Sequence, residues 1–172
     1  MGLPRADMRV LRLLLFLQFP TRTYIANLDS MPIADRAAID LGIYLNAWKS
    51  HHGASLASLF CARACPYHCT WCSHTVYGET HRRRSPENVA DEVEFLRDTY
   101  HPDMLWYADD VFTINTRWFY RYADELKRRG IKLPFECITR GDRMNPHKWS
   151  KHWPRWAVTV SGSAPKAVHS AC

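Results

Sequence analysis

Three cysteines are the residues of this sequence whose type and spacing suit them to chemistry. They lie in the stretch Cys65-Pro66-Tyr67-His68-Cys69-Thr70-Trp71-Cys72, which has the spacing C-x3-C-x2-C and an aromatic residue before the last cysteine. A cubane iron–sulfur cluster normally takes four cysteines, so three thiolates on one loop would leave one iron open to a ligand. A catalytic zinc keeps one position open in a similar way. The spacing therefore predicts chemistry at a metal centre rather than electron transfer alone.

A zinc site is the alternative that the spacing leaves open. The same cysteines could bind zinc with His68 or His74 as the fourth ligand. Such a module could bind nucleic acid through the net charge of +6 and the arginine run 82–84. The run is equally compatible with a solvated turn, and we expect a nucleic-acid partner less than a small molecule.

Length and composition limit the architecture. The chain has 172 residues, of which 47% are hydrophobic and 23% charged, so it can bury a core. It is short for a closed α/β barrel, which typically needs about 200 residues or more. The apolar run 10–19 is shorter than the ~20 residues that cross a bilayer, so no membrane partner is predicted. Reduced cysteines, which a thiolate-bound cluster needs, favour the cytoplasm.

Strand and helix signals alternate along the chain. Residues 56–61, 104–108 and 134–140 have the pattern of buried strands, so Cys61 and Cys137 are expected to be buried strand residues. Helices are predicted after Asp35, with Gly53 as a stop signal, after Ser85 with Pro86 at the first helical position, and after Asn115 or Thr116. This alternation predicts an α/β fold with a parallel sheet. The cysteine loop, the pair Asp109-Asp110 and Arg140 each follow a strand, at the edge where ligand sites gather in such folds.

The cysteine loop, with its aromatic residue, resembles the signature of the radical S-adenosylmethionine (SAM) enzymes. The runs 77–89 and 106–112 resemble the cobalamin-type branch of that superfamily, which includes proteins similar to the anaerobic magnesium-protoporphyrin ester cyclase. The resemblance covers roughly residues 28–147. It implies a partial (β/α) barrel of the radical SAM type, with about three βα units.

The resemblance also implies cofactors. Cys65, Cys69 and Cys72 would bind a 4Fe–4S cluster whose open iron binds SAM. An electron from the cluster would split SAM into methionine and a 5′-deoxyadenosyl radical that acts on an unknown small-molecule substrate. A reducing partner such as flavodoxin or ferredoxin would supply the electron. Whether cobalamin takes part stays open, because residues 1–55 are too short for its domain.

The resemblance further implies contacts with SAM. Trp71 would lie by the adenine, and Asp109 and Asp110 would stand near the amino group of SAM. Arg140 would face SAM or the substrate. A helix cap or a turn is the alternative for the two aspartates, and a surface salt bridge is the alternative for Arg140. No residue of the chain is singled out as catalytic.

The sequence departs from the family pattern at three points. Ala64 stands where the family usually has glycine, which predicts a strained loop. The cobalamin-binding domain and the later barrel strands are not visible. We therefore expect an N-terminal helical linker region (1–54), a partial radical SAM core (55–147) and an irregular tail (148–172) that is frameshifted or truncated. An inactive remnant of a radical SAM enzyme is then a further alternative.

Overall fold

The fold is described from a computed structural model of the chain. The structure describes residues 23–69, 78, 80–143, 151–154 and 157–160. The apolar run 10–19 lies outside these residues. Within them, no helix combines the length and the apolar character that a membrane span requires.

Helices and short strands alternate over most of the described chain. In order they are α1 (Leu41–His52), β1 (Leu56–Leu59), β2 (Ala62–Arg63), β3 (Arg82–Arg83), α2 (Pro86–Tyr100), β4 (Met104–Tyr107), α3 (Thr116–Arg128), β5 (Phe135–Cys137) and β6 (Val158–Val160). Three-residue 3-10 helices lie at Leu28–Ser30, Arg36–Ala38 and Gly141–Arg143.

Four of the strands form one parallel sheet. Their order is β1-β4-β5-β6, and Leu59, Tyr107, Cys137 and Val160 are neighbours across it. Strands β2 and β3 form a separate antiparallel ribbon. The predicted α/β fold with a parallel sheet is thus confirmed, with one more parallel strand than the three that the sequence indicated.

The additional strand, β6, lies in the segment that the sequence predicted to be irregular. It pairs in parallel with β5, with Phe135 opposite Val158. All three of its residues, Val158-Thr159-Val160, are β-branched and favour extended backbone. A strand of three residues is too short to show an alternating pattern, which explains why sequence analysis missed it. The division of the chain into three segments stays a prediction.

Helix α2 begins where the sequence placed it. The hydroxyl of Ser85 accepts a hydrogen bond from the backbone N–H of Asn88 at 3.1 Å, and Pro86 occupies the first helical position. Pro has no N–H to lose at that position, so it fits the helix start. The helix ends at Tyr100, before Pro102, with His101 in a left-handed conformation.

Helix α1 begins later than predicted. Asp35 caps only the 3-10 helix, accepting a hydrogen bond from the N–H of Ala37, while Asp40 caps α1 through the N–H of Ile43. Both aspartates are good capping residues, so local sequence did not decide between them. Gly53 ends α1 with a φ of 83°, as the sequence indicated.

One face of the sheet is buried against the helices. Alternate residues on β1, β4 and β5 point into the core, while Trp106 on the other face is 36% exposed. The core side chains from the helices and loops include three aliphatic residues and four aromatic ones: Val89, Val93, Leu96, Phe112, Phe119, Tyr122 and Trp153. This packing fixes the strand ends from which the cysteine loop and the two aspartates emerge.

Candidate metal centre

The cysteine loop leaves the sheet through the β2–β3 ribbon. Residues Ala62 and Arg83 are paired across the ribbon, as are Arg63 and Arg82, so the two ends of the loop lie side by side. Cys65 and Cys69 are both partly exposed. Cys72 and Trp71 lie outside the described residues, and among those that are described no group of three potential metal ligands occurs.

Ala64 adopts the backbone angle that the sequence predicted for it. Its φ is 70°, in the left-handed region, and the residue is 4% exposed. An L-residue with a Cβ pays roughly 1–2 kcal/mol for this conformation. The strain falls immediately before Cys65, so the turn that starts the metal-binding loop is held by the surrounding structure.

Asp109 anchors the start of the cysteine loop. Its Oδ1 accepts hydrogen bonds from the backbone N–H groups of Cys61 at 2.7 Å and Ala62 at 2.9 Å. Its Oδ2 accepts a hydrogen bond from the Nη2 of Arg83 at 3.1 Å. The residue is 2% exposed, so protein donors occupy both oxygens in a buried site. The structure thus gives Asp109 a positioning role, and its contact with SAM stays a prediction, as does that of the exposed Asp110.

The ion pair of Asp109 and Arg83 is deeply buried. Their side chains are 1% and 6% exposed. Burial raises the pKa of Asp109, an effect that Arg83 and the two N–H groups partly offset. Burial also lowers the pKa of Arg83. The Arg83 guanidinium lies over the ring of Trp118, 4.3 Å from its centroid, which compensates part of its lost hydration.

The next arginine is also engaged inside the protein. Arg84 and Arg36 each pair with one carboxylate oxygen of Glu92, whose side chain is 4% exposed. The Nε of Arg84 also donates to Asn88 Oδ1 at 2.6 Å. The interpretation of the arginine run as a solvated turn is therefore wrong, because two of its three charges are used on buried carboxylates. The nucleic-acid alternative thus loses two of the three arginines on which it drew, while the net charge of +6 is unchanged.

Arg140 reaches the cysteine loop from the carboxyl end of β5. Its Nη1 lies 3.8 Å from the Sγ of Cys69, within hydrogen-bonding range for sulfur. Its guanidinium stacks over the ring of Tyr67 at 4.0 Å, and its Nε donates to Asp142 at 2.9 Å. The surface salt bridge that the sequence offered as an alternative is present, together with a contact to a predicted metal ligand.

The remaining described cysteines are structural. Cys61 and Cys137 are fully buried, as the sequence predicted, although Cys61 lies between β1 and β2 rather than in a strand. Burial raises the pKa of the Cys61 thiol and raises that of Cys137 to about 12. Both thiols therefore stay protonated at neutral pH and are poor metal ligands.

Cys69 is disulfide-bonded in the structure, so metal binding requires reduction to the thiolate. His68 is exposed, and His74 lies outside the described residues.

The described part of the loop suits a thiolate-bound metal group. Cys65 and Cys69 lie beyond the carboxyl end of β1, on a loop whose base is fixed by Asp109. Arg140 lies beside the sulfur of Cys69, so a cation is already in place there when reduction of the disulfide frees that sulfur for a metal. Tyr67 and Arg83 also belong to this site, and neither was predicted from the sequence. The aromatic residue between two cysteines was a usable signal for the first, and no local signal existed for the second.

The chain matches known proteins over part of their length, although it matches no protein-family profile. It is 25% identical to an uncharacterised methyltransferase of Pyrococcus horikoshii, over 73% of this chain and 27% of the relative. It is 31% identical to the anaerobic magnesium-protoporphyrin IX monomethyl ester cyclase of Cereibacter sphaeroides, over 58% of this chain and 17% of that protein. The chain thus spans about a quarter or less of the length of these relatives.

Solved structures support the fold assignment. The radical SAM methyltransferase TsrM from Kitasatospora setae, solved with tryptophan and a SAM analogue, matches 62% of this chain and 22% of its own. The TM-score is 0.53 at 18% sequence identity, which shows a shared fold. A second structure of TsrM, with cobalamin and a [4Fe–4S] cluster bound, gives the same TM-score. Taken together with the sequence matches, this shared fold supports a relationship to the cobalamin-type radical SAM proteins, as the cysteine spacing and flanking runs predicted.

Proposed function

We propose that this chain carries the cluster-binding part of a radical SAM protein. Cys65, Cys69 and Cys72 would bind a 4Fe–4S cluster, and the open iron would bind SAM. The observation that carries the proposal is the position of Cys65 and Cys69, the first two cysteines of the C-x3-C-x2-C spacing, beyond the carboxyl edge of a parallel sheet, in a chain related to radical SAM methyltransferases and cyclases.

The residues of this chain would position the loop and bind the cofactor. Asp109 holds the backbone before the loop through two N–H groups, and Ala64 turns the chain into Cys65. When bound, a cluster of this kind supplies the electron that splits SAM into methionine and a 5′-deoxyadenosyl radical. In the proposal Trp71 contacts the adenine, and the exposed Asp110 contacts the amino group of SAM.

The wider setting is part of the same proposal. The reductant would be a low-potential donor such as flavodoxin or ferredoxin, and the compartment would be the reducing cytoplasm. Several relatives are methyltransferases, and a TsrM structure contains cobalamin, so cobalamin would act with this chain if its binding domain is supplied. The substrate stays open, because the chain covers about a quarter or less of its relatives.

Anaerobic reconstitution tests the proposal. The reduced chain is incubated with iron and sulfide, and bound iron and labile sulfide are counted. We expect about four of each per chain, as for a cubane. Alanine substitution of Cys65, Cys69 or Cys72 should lower the iron content strongly. Cys137→Ala is the matched control, because its buried thiol lies in β5 and should leave the iron content unchanged.

Two results would contradict the proposal. A colourless protein that retains one tightly held zinc through this purification would support the zinc module. A well-folded protein that binds neither metal would support the inactive remnant. Circular dichroism distinguishes the second result from a chain that does not fold.

A further inference from the structure

The Arg140 guanidinium is held in one orientation by three groups. The Nε edge donates to Asp142 Oδ1 at 2.9 Å, and the flat face stacks on Tyr67 at 4.0 Å from the ring centroid. The Nη1 lies 3.8 Å from the Sγ of Cys69, a sulfur that the structure holds in a disulfide and that reduction would free for the cluster. The side chain is 19% exposed, so its charge is partly shielded from water. Because Asp142 binds one edge of the guanidinium and Tyr67 covers its face, the Nη1 edge is directed at the sulfur of Cys69.

A cationic donor at this place has a defined effect on an iron–sulfur cluster. Hydrogen bonds to the cysteine sulfurs and the net charge of the surroundings are among the factors that set the reduction potential. One-electron reduction adds a negative charge to the cluster and its thiolates. A nearby cation stabilises the more negative state, so it raises the potential.

We propose that Arg140 is a positioning residue that holds Cys69 and raises the reduction potential of the cluster bound by the loop. The inference rests on the proposed function, because it needs the cluster to be present. It assigns Arg140 to the sulfur of a metal ligand rather than to SAM or substrate. A planar, always-charged side chain suits this role, because only arginine can bind Asp142, stack on Tyr67 and donate to Cys69 together.

The chain offers a matched control one helical turn away. Arg143 donates from its Nε to the hydroxyl of Tyr67 at 2.9 Å, and its guanidinium lies 5.9 Å from the same ring. It shares the residue type, the segment and the aromatic partner of Arg140, while the described contact with Cys69 belongs to Arg140. Removal of Arg143 therefore removes a charge nearby without removing the contact with sulfur.

A redox titration of the reconstituted protein tests the inference. Dithionite is the reductant, no SAM is added, and the reduced cluster is followed by electron paramagnetic resonance. We expect Arg140→Gln to lower the midpoint potential, Arg140→Lys to lower it less, and Arg143→Gln to have a much smaller effect. Iron content and circular dichroism are measured on every variant.

Each outcome of the titration either supports or overturns the role assigned to Arg140. Equal midpoint potentials in wild type and Arg140→Gln, at equal iron content, would overturn the assignment, as would equal shifts in the two glutamine variants. If Arg140→Gln binds no iron, an unchanged potential in Arg140→Lys overturns it and a lowered one supports it. A wild-type chain that takes up no iron refutes the proposed function, and this assignment with it.

Discussion

Replacement of Asp109 should lower the free energy of unfolding strongly, because three buried donors depend on its carboxylate. Asp109→Ala leaves the N–H groups of Cys61 and Ala62 without their acceptor and leaves the Arg83 guanidinium, 6% exposed, without its carboxylate. Asp109→Asn is the milder change. Its amide oxygen can still accept from the two N–H groups, while the negative charge is lost.

The expected magnitudes follow from these contacts. A buried N–H left without an acceptor costs about 1–3 kcal/mol, and an uncompensated buried charge costs about 3–5 kcal/mol. Partial relaxation makes these terms less than additive. We therefore expect Asp109→Ala to lower the free energy of unfolding by at least about 4 kcal/mol, and Asp109→Asn by about 2–3 kcal/mol. Natural domains have about 5–15 kcal/mol in total, so the alanine variant stands near the limit of folding.

Urea unfolding followed by tryptophan fluorescence provides the assay. Asp110→Asn is the control, because Asp110 is exposed and should change the free energy of unfolding by no more than about 0.5 kcal/mol. If Asp109→Asn and Asp110→Asn are equally stable, the anchoring role of Asp109 is refuted. A stable Asp109→Asn variant with weakened SAM binding would instead support the contact that the family resemblance implies.

Two further predictions concern residues at the ends of the loop. Burial and the nearby Arg83 lower the pKa of His81 to about 4, whereas an unfolded histidine titrates near 6.5. The unfolded state then binds the proton more tightly, so the stability due to His81 is present above pH ~6.5 and is lost as the pH falls towards 4. Urea unfolding at pH 7 and pH 5 should show a smaller loss in His81→Gln than in wild type; an equal loss contradicts the pKa assignment. Ala64→Gly should raise the free energy of unfolding by up to about 1 kcal/mol, because glycine adopts a positive φ without strain. Ala62→Gly, in a strand, should lower it instead, and melting temperatures that fall in both variants would argue against strain at Ala64.

Local signals predicted the features that depend on a few neighbouring residues. Ser85 and Pro86 marked the start of α2, and Gly53 marked the end of α1. The missing glycine at position 64 predicted a strained backbone, which the structure shows as a positive φ. Each depends on backbone geometry or capping within a few positions. The parallel sheet followed from the alternation of strands and helices.

Contacts between side chains that lie far apart in the chain could not be predicted from the sequence. The contact between Arg83 and Asp109 joins residues 26 positions apart, and that between Arg140 and Cys69 joins residues 71 positions apart. Charged residues are mostly exposed, so an arginine run favours a surface interpretation until its partners are known. The role of Asp109 was missed for the same reason, because its donors come from another strand end.

The β2–β3 ribbon has a consequence for how the metal-binding segment can vary. Because Arg63 is paired with Arg82, residues 64–81 are a loop, or ring of chain, whose two ends are joined by the β2–β3 pairing. Bringing together the ends of a ring of this length costs on the order of 2–3 kcal/mol in chain entropy, and folding has already met that cost before any metal arrives. Doubling the ring would add only about 0.6 kcal/mol. Insertions between the ribbon strands could therefore reshape the surroundings of the thiolates while the sheet beneath stays unchanged.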